Sequence, residues 1–259
     1  VSIRGIHRLD NMARSLSPLS PEALDAHIDR ALATFTAGIV SPGAQDPEAA
    51  SRTPSTSGAD VIAGSIDPRA RAHLATWIAL LVEWNARMDL TAARTPEELV
   101  DLMLADAMVL AARIPHGARV VDVGSGAGAP GLPLALVRPD LAVTLIEPLT
   151  KRVAFLRTVI GTLRRGDVRL ERGRGEEAAV KSPEAWDHAL SRATLAPPAW
   201  LALGARMVRP GGSVWALLAR EEAPEVSGLT REDEVAYAWP CTGAARRAVR
   251  YARAAGSTG

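Results

Sequence analysis

The sequence predicts an α/β fold: a mostly parallel sheet with helices on both faces, closed by an antiparallel C-terminal hairpin. Three observations predict it. Strand and helix signals alternate from about residue 119 to residue 218, the pattern of a parallel sheet with helical crossovers. A glycine-rich turn, Gly124-Ser125-Gly126-Ala127-Gly128, separates the first strand from the helix after it. Two more strand patterns, near 234–239 and 246–252, end the chain with no helix between them.

The elements follow in order. Residues 21–38 carry Leu24, Ile28, Leu32 and Phe35 at helical spacing behind Ser20 and Pro21, a helix start. Residues 41–65 are rich in Ser, Pro, Gly and Ala with almost nothing to bury, the composition of a flexible linker. The expected organisation is therefore an N-terminal helical extension over 1–40, a linker over 41–66 and the main domain over 67–259; Met12 is an alternative start. Asp67 and Pro68 make an N-cap and first-turn pair, and Leu74, Trp77, Ile78, Leu81, Trp84 and Met88 continue a helix. The Trp77 and Trp84 spacing fits core packing, with base stacking the other reading. A second helix begins near Pro96 and ends before Pro115. Strands are expected at 119–123, 142–147, 167–171, 186–190 and 213–219, with helices near 130–137, 150–164, 175–181 and 196–208.

Composition excludes more than it selects. The chain of 259 residues is 47% hydrophobic, enough for a full core. It has no run of the roughly 18 apolar residues a bilayer span needs, and its first twenty residues are too polar for a secretory signal. A single cysteine, Cys241, builds no internal disulfide, which points to the cytoplasm. A net charge of +1 makes no global case for nucleic acid. Only Lys151 and Lys181 are lysines among 30 basic residues; the arginine excess suits phosphate forks or reflects a GC-rich genome. The arginines at 164, 165, 169, 172 and 174 read equally as a phosphate track or a solvated surface. Five scattered histidines show no metal-ligand spacing; His188 falls in a predicted buried strand. Ser191 has no His/Asp relay that would make it a nucleophile.

The glycine turn carries the chemistry. Gly126, Gly128 and Gly131 match a bare dinucleotide pattern. Two features turn the reading elsewhere. Asp122 ends the strand two residues before Gly124, where a dinucleotide site needs an apolar residue; its carboxylate repels a pyrophosphate and attracts a sulfonium or ammonium group, directly or through water. The spacing Gly124-x-Gly126-x-Gly128 is tight enough to wrap an amino-acid and nucleoside moiety. Glu147 ends the second strand 23 residues after Gly124, placed to accept both ribose hydroxyls as dinucleotide sites also do, so it supports a nucleoside without choosing the cofactor. Together these point to S-adenosylmethionine (AdoMet) on a Rossmann-like class I methyltransferase sheet, the alternative being a plain turn with no ligand.

Beyond the turn, the stretches "LLVEWNARMDLTA" (80–92), "DVGSGAGAPGLPLALVRPD" (122–140), "KRVAFLR" (151–157), "GRGEE" (173–177) and "SRA" (191–193) resemble one family: the bacterial small-subunit (16S) rRNA guanine-N7 methyltransferases, also called the glucose-inhibited division protein B family. The resemblance runs from about Leu74 to Leu218. It implies that Gly124 and Ala129 contact AdoMet, that Gly175 and Glu176 bracket the adenine, and that Arg192 reaches both cofactor and substrate. It implies a basic edge of Lys151, Arg152 and Arg157 towards RNA, and a monomer acting on 16S rRNA or a small-subunit precursor. Asp106 is expected to orient a loop, to cap the pocket or to assist catalysis. Three positions depart from the family: Met103 stands where it has a histidine, Asp89 where it has an asparagine, and Leu218-Ala219-Arg220 where it has a Lys-Gly pair, with Arg220 as the substitute cation. The rival readings are a methyltransferase of the same fold acting on a small molecule or protein, and a non-catalytic AdoMet- or RNA-binding module.

Overall fold

The computed structural model describes residues 20–36 and 66–255. The linker over 41–65 and the alternative start at Met12 lie outside the described residues.

Three helices precede the sheet: α1 (Pro21–Thr36), α2 (Pro68–Met88) and α3 (Pro96–Ala111). Each begins as its sequence dictates. Asp67 caps α2, its side chain accepting from the Arg69 N–H at 2.6 Å, and Pro68 follows where no N–H is needed. Thr95 caps α3 by accepting from the Glu98 N–H, while the Glu98 carboxylate accepts from the Arg94 N–H. The α2 stripe Ala70, Leu74, Trp77, Ile78, Leu81 and Asn85 is buried. Most of α3 from Leu99 to Ala111 is buried on all sides, because other elements cover it all round. One of these is α1. Expected as an extension, it packs Leu24, Ile28, Leu32 and Phe35 into the same core as α2 and α3. Arg71 of α2 also bridges to Asp25 and Asp29 of α1.

The sheet is built from β1 (Arg119–Val123), β2 (Ala142–Glu147), β3 (Arg169–Arg172), β4 (Trp186–Ser191), β5 (Val208–Leu218), β6 (Leu229–Ala238) and β7 (Ala245–Arg253). Its order is β3-β2-β1-β4-β5-β7-β6. The first five strands pair parallel, whereas β7 is antiparallel to both β5 and β6. The crossover helices are α4 (Gly131–Val137), α5 (Thr150–Thr162), α6 (Gly175–Lys181) and α7 (Pro197–Met207). One core lies between the sheet and α1 to α5; the other packs α6 and α7 on the opposite face around Trp200, Met207 and Val214. Strands β5 and β6 both start about five residues before their expected positions, and β3 starts two residues later, where the Asp167 carboxylate takes the Arg165 fork in the preceding turn. His188 is a core histidine: its Nδ1 accepts from Trp215 Nε1 at 3.3 Å, and burial lowers its pKa to about 4.

Arg138 shows what the Arg-Pro-Asp triplet is for. Its guanidinium is fully buried and forks onto the Asp140 carboxylate at 2.7 Å, while Nη1 donates to the Ala111 and Ile114 carbonyls that end α3. Although burial opposes ionisation, the Arg138 fork and the Gly117 N–H hold the Asp140 carboxyl below the usual carboxylate range. Removing one partner of such a pair costs about 3–5 kcal/mol.

Candidate active site

Strand order reverses between β1 and β4, where an open α/β sheet leaves a crevice beyond the carboxyl ends of its strands. A cavity of about 640 Å³ lies there.

The turn between β1 and α4 forms its floor. Gly124 and Ser125 donate their N–H groups to the Ile146 carbonyl at 2.8 and 3.1 Å, Trp77 Nε1 donates to the Ala127 carbonyl at 3.0 Å, and Gly131 N–H donates to Asp122 Oδ2 at 3.0 Å. Gly124 and Gly126 have positive φ, 72° and 58°, conformations that favour glycine. A Cβ on Gly126 would meet no atom closer than 3.8 Å, so this position leaves room for a ligand rather than for packing. Gly128 turns inward, where a Cβ would press on Leu132 and Leu156; it does not line the cavity.

Glu147 faces the turn. Its Oε2 accepts from Gly126 N–H at 2.8 Å and its Oε1 from Leu149 N–H at 2.9 Å. Each carboxylate oxygen has capacity for a second donor, which fits the two hydroxyls of a ribose. Gly175 and Glu176, at the start of α6, line the same side with Leu149. Gly175 has to be glycine for packing, since a Cβ would lie 2.6 Å from Val123 Cγ1.

Asp122, whose charge suggests a ligand contact made directly or through water, lies beneath the turn. It is fully buried there and does not line the cavity. Its Oδ2 holds the start of α4, and its Oδ1 has no partner among the described residues. Burial pushes its carboxyl up to about 7, against the Gly131 N–H and the Arg192 charge, which favour ionisation. The room left at Gly126 and the spare acceptor capacity of Glu147 fit an amino-acid nucleoside such as AdoMet.

The opposite wall is made of side chains from distant elements. Arg192 follows β4 and lines the cavity; its Nη1 donates to the Leu102 carbonyl and to Asp106 Oδ2, the latter at 3.2 Å. Asp106 lies behind it, outside the lining, and its Oδ1 accepts from Tyr237 Oη at 2.7 Å and Trp239 Nε1 at 3.4 Å. Next to Arg192, Ala193 has a left-handed φ of 52° and Thr194 Oγ1 donates to the Val123 carbonyl at 3.2 Å. Ser191 Oγ also donates to that carbonyl. Leu90, Thr91 and Ala92 close the cavity above. Asn85 shapes them, its Oδ1 accepting from the Leu90 and Thr91 N–H groups at 2.7 and 3.0 Å.

Of the basic residues expected at an RNA-facing edge, Arg152 lines the cavity and has its Nε buried without a partner among the described residues. Lys151 Nζ donates to the Met88 carbonyl at 2.7 Å. Arg157 and Arg220 are exposed and lie outside the lining. The sequence reading missed Tyr237, Trp239, Thr194 and Leu195. Tyr237 and Trp239 had one available signal, two hydrogen-bonding aromatics closely spaced in a chain that is only 4% aromatic.

The model of the family described as rRNA small subunit methyltransferase G matches residues 70–243. This chain belongs to that family. A ribosomal RNA small subunit methyltransferase G from Anaeromyxobacter dehalogenans (strain 2CP-C) is 36% identical over 76% of this chain and 94% of its own length. One from Xanthomonas axonopodis pv. citri is 38% identical over 64% of this chain and 77% of its own. The departures from the family now have places. Asp89 has a left-handed φ of 49° where α2 ends, a conformation that Asn and Asp both tolerate. Met103 lines the cavity wall. Arg220 sits beyond β5 with its N–H donated to its neighbour Glu221.

Proposed function

We propose that this protein transfers the methyl group of AdoMet to guanine N7 of 16S rRNA. The observation that carries the reading is one cavity with a nucleoside-binding wall, Gly126 and Glu147, facing a fixed guanidinium, Arg192. When bound, AdoMet supplies an electrophilic methyl on a sulfonium sulfur, and N7 has a free lone pair at neutral pH, so no residue has to remove a proton. The chain's own work is alignment and exclusion of water, which can lower a barrier substantially. Glu147 holds the ribose, Gly124 to Gly126 let the ligand approach the backbone, and Leu149, Met103 and Leu195 keep the cavity apolar between the polar ends. Arg192 orients the guanine.

N7 faces the deep, narrow major groove of an A-form helix, so the base enters from a loop or flipped out. Arg152 and Arg174 at the cavity supply charge for the phosphates beside it. No helix among the described residues is long and apolar enough to cross a membrane. The reading places the enzyme in the cytoplasm, acting as a monomer on the small subunit or its precursor, with residues 67–259 as the catalytic domain. Met103, where the family has histidine, favours a second reading, another acceptor on the same fold.

One comparison decides between them. Guanosine methylated at N7 becomes a cleavage point after borohydride reduction and aniline treatment. The 16S rRNA of cells lacking the gene should lose one such cleavage and regain it on complementation. Identical patterns in the two strains would overturn the guanine assignment.

A further inference from the structure

We propose that Tyr237 and Trp239, on the C-terminal hairpin, are positioning residues for methyl transfer that act through Asp106 to aim Arg192 into the cavity. The proposal rests on the guanine-N7 reading above. The Nη1 group of Arg192 has two N–H bonds, and both are used, one on the Leu102 carbonyl and one on Asp106 Oδ2. Its Nε–H and its two Nη2 N–H bonds have no protein partner among the described residues. Asp106 is buried and its two oxygens are divided: Oδ2 serves Arg192, and Oδ1 serves the Tyr237 hydroxyl and the Trp239 indole. A carboxylate held on both oxygens cannot rotate without breaking both sets of bonds. The hairpin side is itself braced, because the Arg246 guanidinium lies over the Trp239 ring at 3.8 Å. Burial, then the Asp106 charge, push the Tyr237 hydroxyl well above its usual pKa, so it stays a donor.

The chemistry of guanine explains why such bracing matters. Its Hoogsteen edge presents O6 and N7 as adjacent acceptors, and an arginine fork across both is the commonest specific contact to this base. In this reaction that fork is unproductive, since it occupies the N7 lone pair that must attack the methyl. A guanidinium free to swing finds the fork; one tethered through Nη1 offers only its Nε–Nη2 edge at a set angle, and turnover requires that angle to place a donor on O6 and none on N7. Loosening the tether should therefore lower turnover without weakening RNA binding.

Asp101 supplies the control. It lies on α3 as Asp106 does, is fully buried, and docks the same hairpin by accepting from Cys241 N–H, Thr242 N–H and Thr242 Oγ1. Unlike Asp106, it has no bond to Arg192. The experiment measures kcat and KM for methylation of small-subunit RNA from cells lacking the gene. Tyr237→Phe should lower kcat about ten-fold, the scale of one hydrogen bond to a charged group. KM for RNA should stay level or fall, and KM for AdoMet should not change. Thr242→Val should behave as wild type. In an Arg192→Lys background, Tyr237→Phe should have no further effect, because the group it positions is gone. Equal losses from Tyr237→Phe and Thr242→Val, undiminished turnover in Tyr237→Phe, or independent losses in the double variant would each overturn the proposal. Wild-type protein that transfers no methyl to this RNA overturns the guanine reading and the proposal with it.

Discussion

On one wall of the cavity, Gly124, Gly126 and Glu147 are joined by backbone amides across 21 residues of chain; on the other, Asp106 reaches 86 residues to Arg192 and 131 residues to Tyr237. The first wall has few side chains to vary, being made of the peptide groups of the glycine turn and one carboxylate, Glu147. The second is assembled from guanidinium, carboxylate, phenol and indole groups on α3, the β4 loop and the hairpin. One cavity is thus built in two ways, one wall from local backbone geometry and the other from side chains brought together over long separations in sequence. Met103, the family departure that lines the cavity, falls on the second wall.

The walls touch at Gly124, and the largest stability effect is expected there. A Cβ on Gly124, where φ is 72°, would collide with the Thr194 side chain. Gly124→Ala should cost about 3 kcal/mol from overpacking and strain together, measured by denaturant unfolding. Adding Thr194→Gly removes the collision but not the strained φ, so the double variant should be more stable than the sum of the two single effects. Strict additivity would mean that the walls do not press on each other.

A smaller effect separates the turn from the groups below it. An unfolded aspartate titrates near about 3.9, whereas the folded Asp122 titrates at about 7, so between those values the folded chain holds the extra proton. The stability this contributes is complete below the unfolded value and is lost as pH rises through about 7. Asp122→Asn keeps an acceptor for Gly131 N–H and has no charge to bury. In the ligand-free protein its Tm relative to wild type should therefore rise between about pH 5 and about pH 8. A difference independent of pH would place the ionised carboxylate at no disadvantage in the fold.

The same contrast governs what could be read from the sequence. Strand β1, its glycine turn and Glu147 were legible because periodicity, turn chemistry and a carboxylate at a strand end are local signals. Arg192 is named through resemblance alone, and it lines the cavity; its tether was not legible, because nothing near residue 106 or 192 encodes a phenol at 237. Asp122 was legible as a position and not as a contact: its charge suggests a ligand, and only burial shows that the N-terminus of α4 occupies its Oδ2. The Arg138 and Asp140 pair, recognised as a family mark, is a buried brace on α3. Lys151, expected to face RNA, bonds the end of α2, a contact 63 residues away that no local pattern announces.

The central claim is that the Gly126 and Glu147 wall binds AdoMet, and titration calorimetry of wild type against Glu147→Ala tests it most directly. Wild type should bind AdoMet at a single site. The variant loses the acceptor for the ribose hydroxyls and for Gly126 N–H, so its affinity should fall roughly thirty-fold or more, while its circular dichroism spectrum stays that of the folded protein. Undiminished affinity in Glu147→Ala would contradict the account.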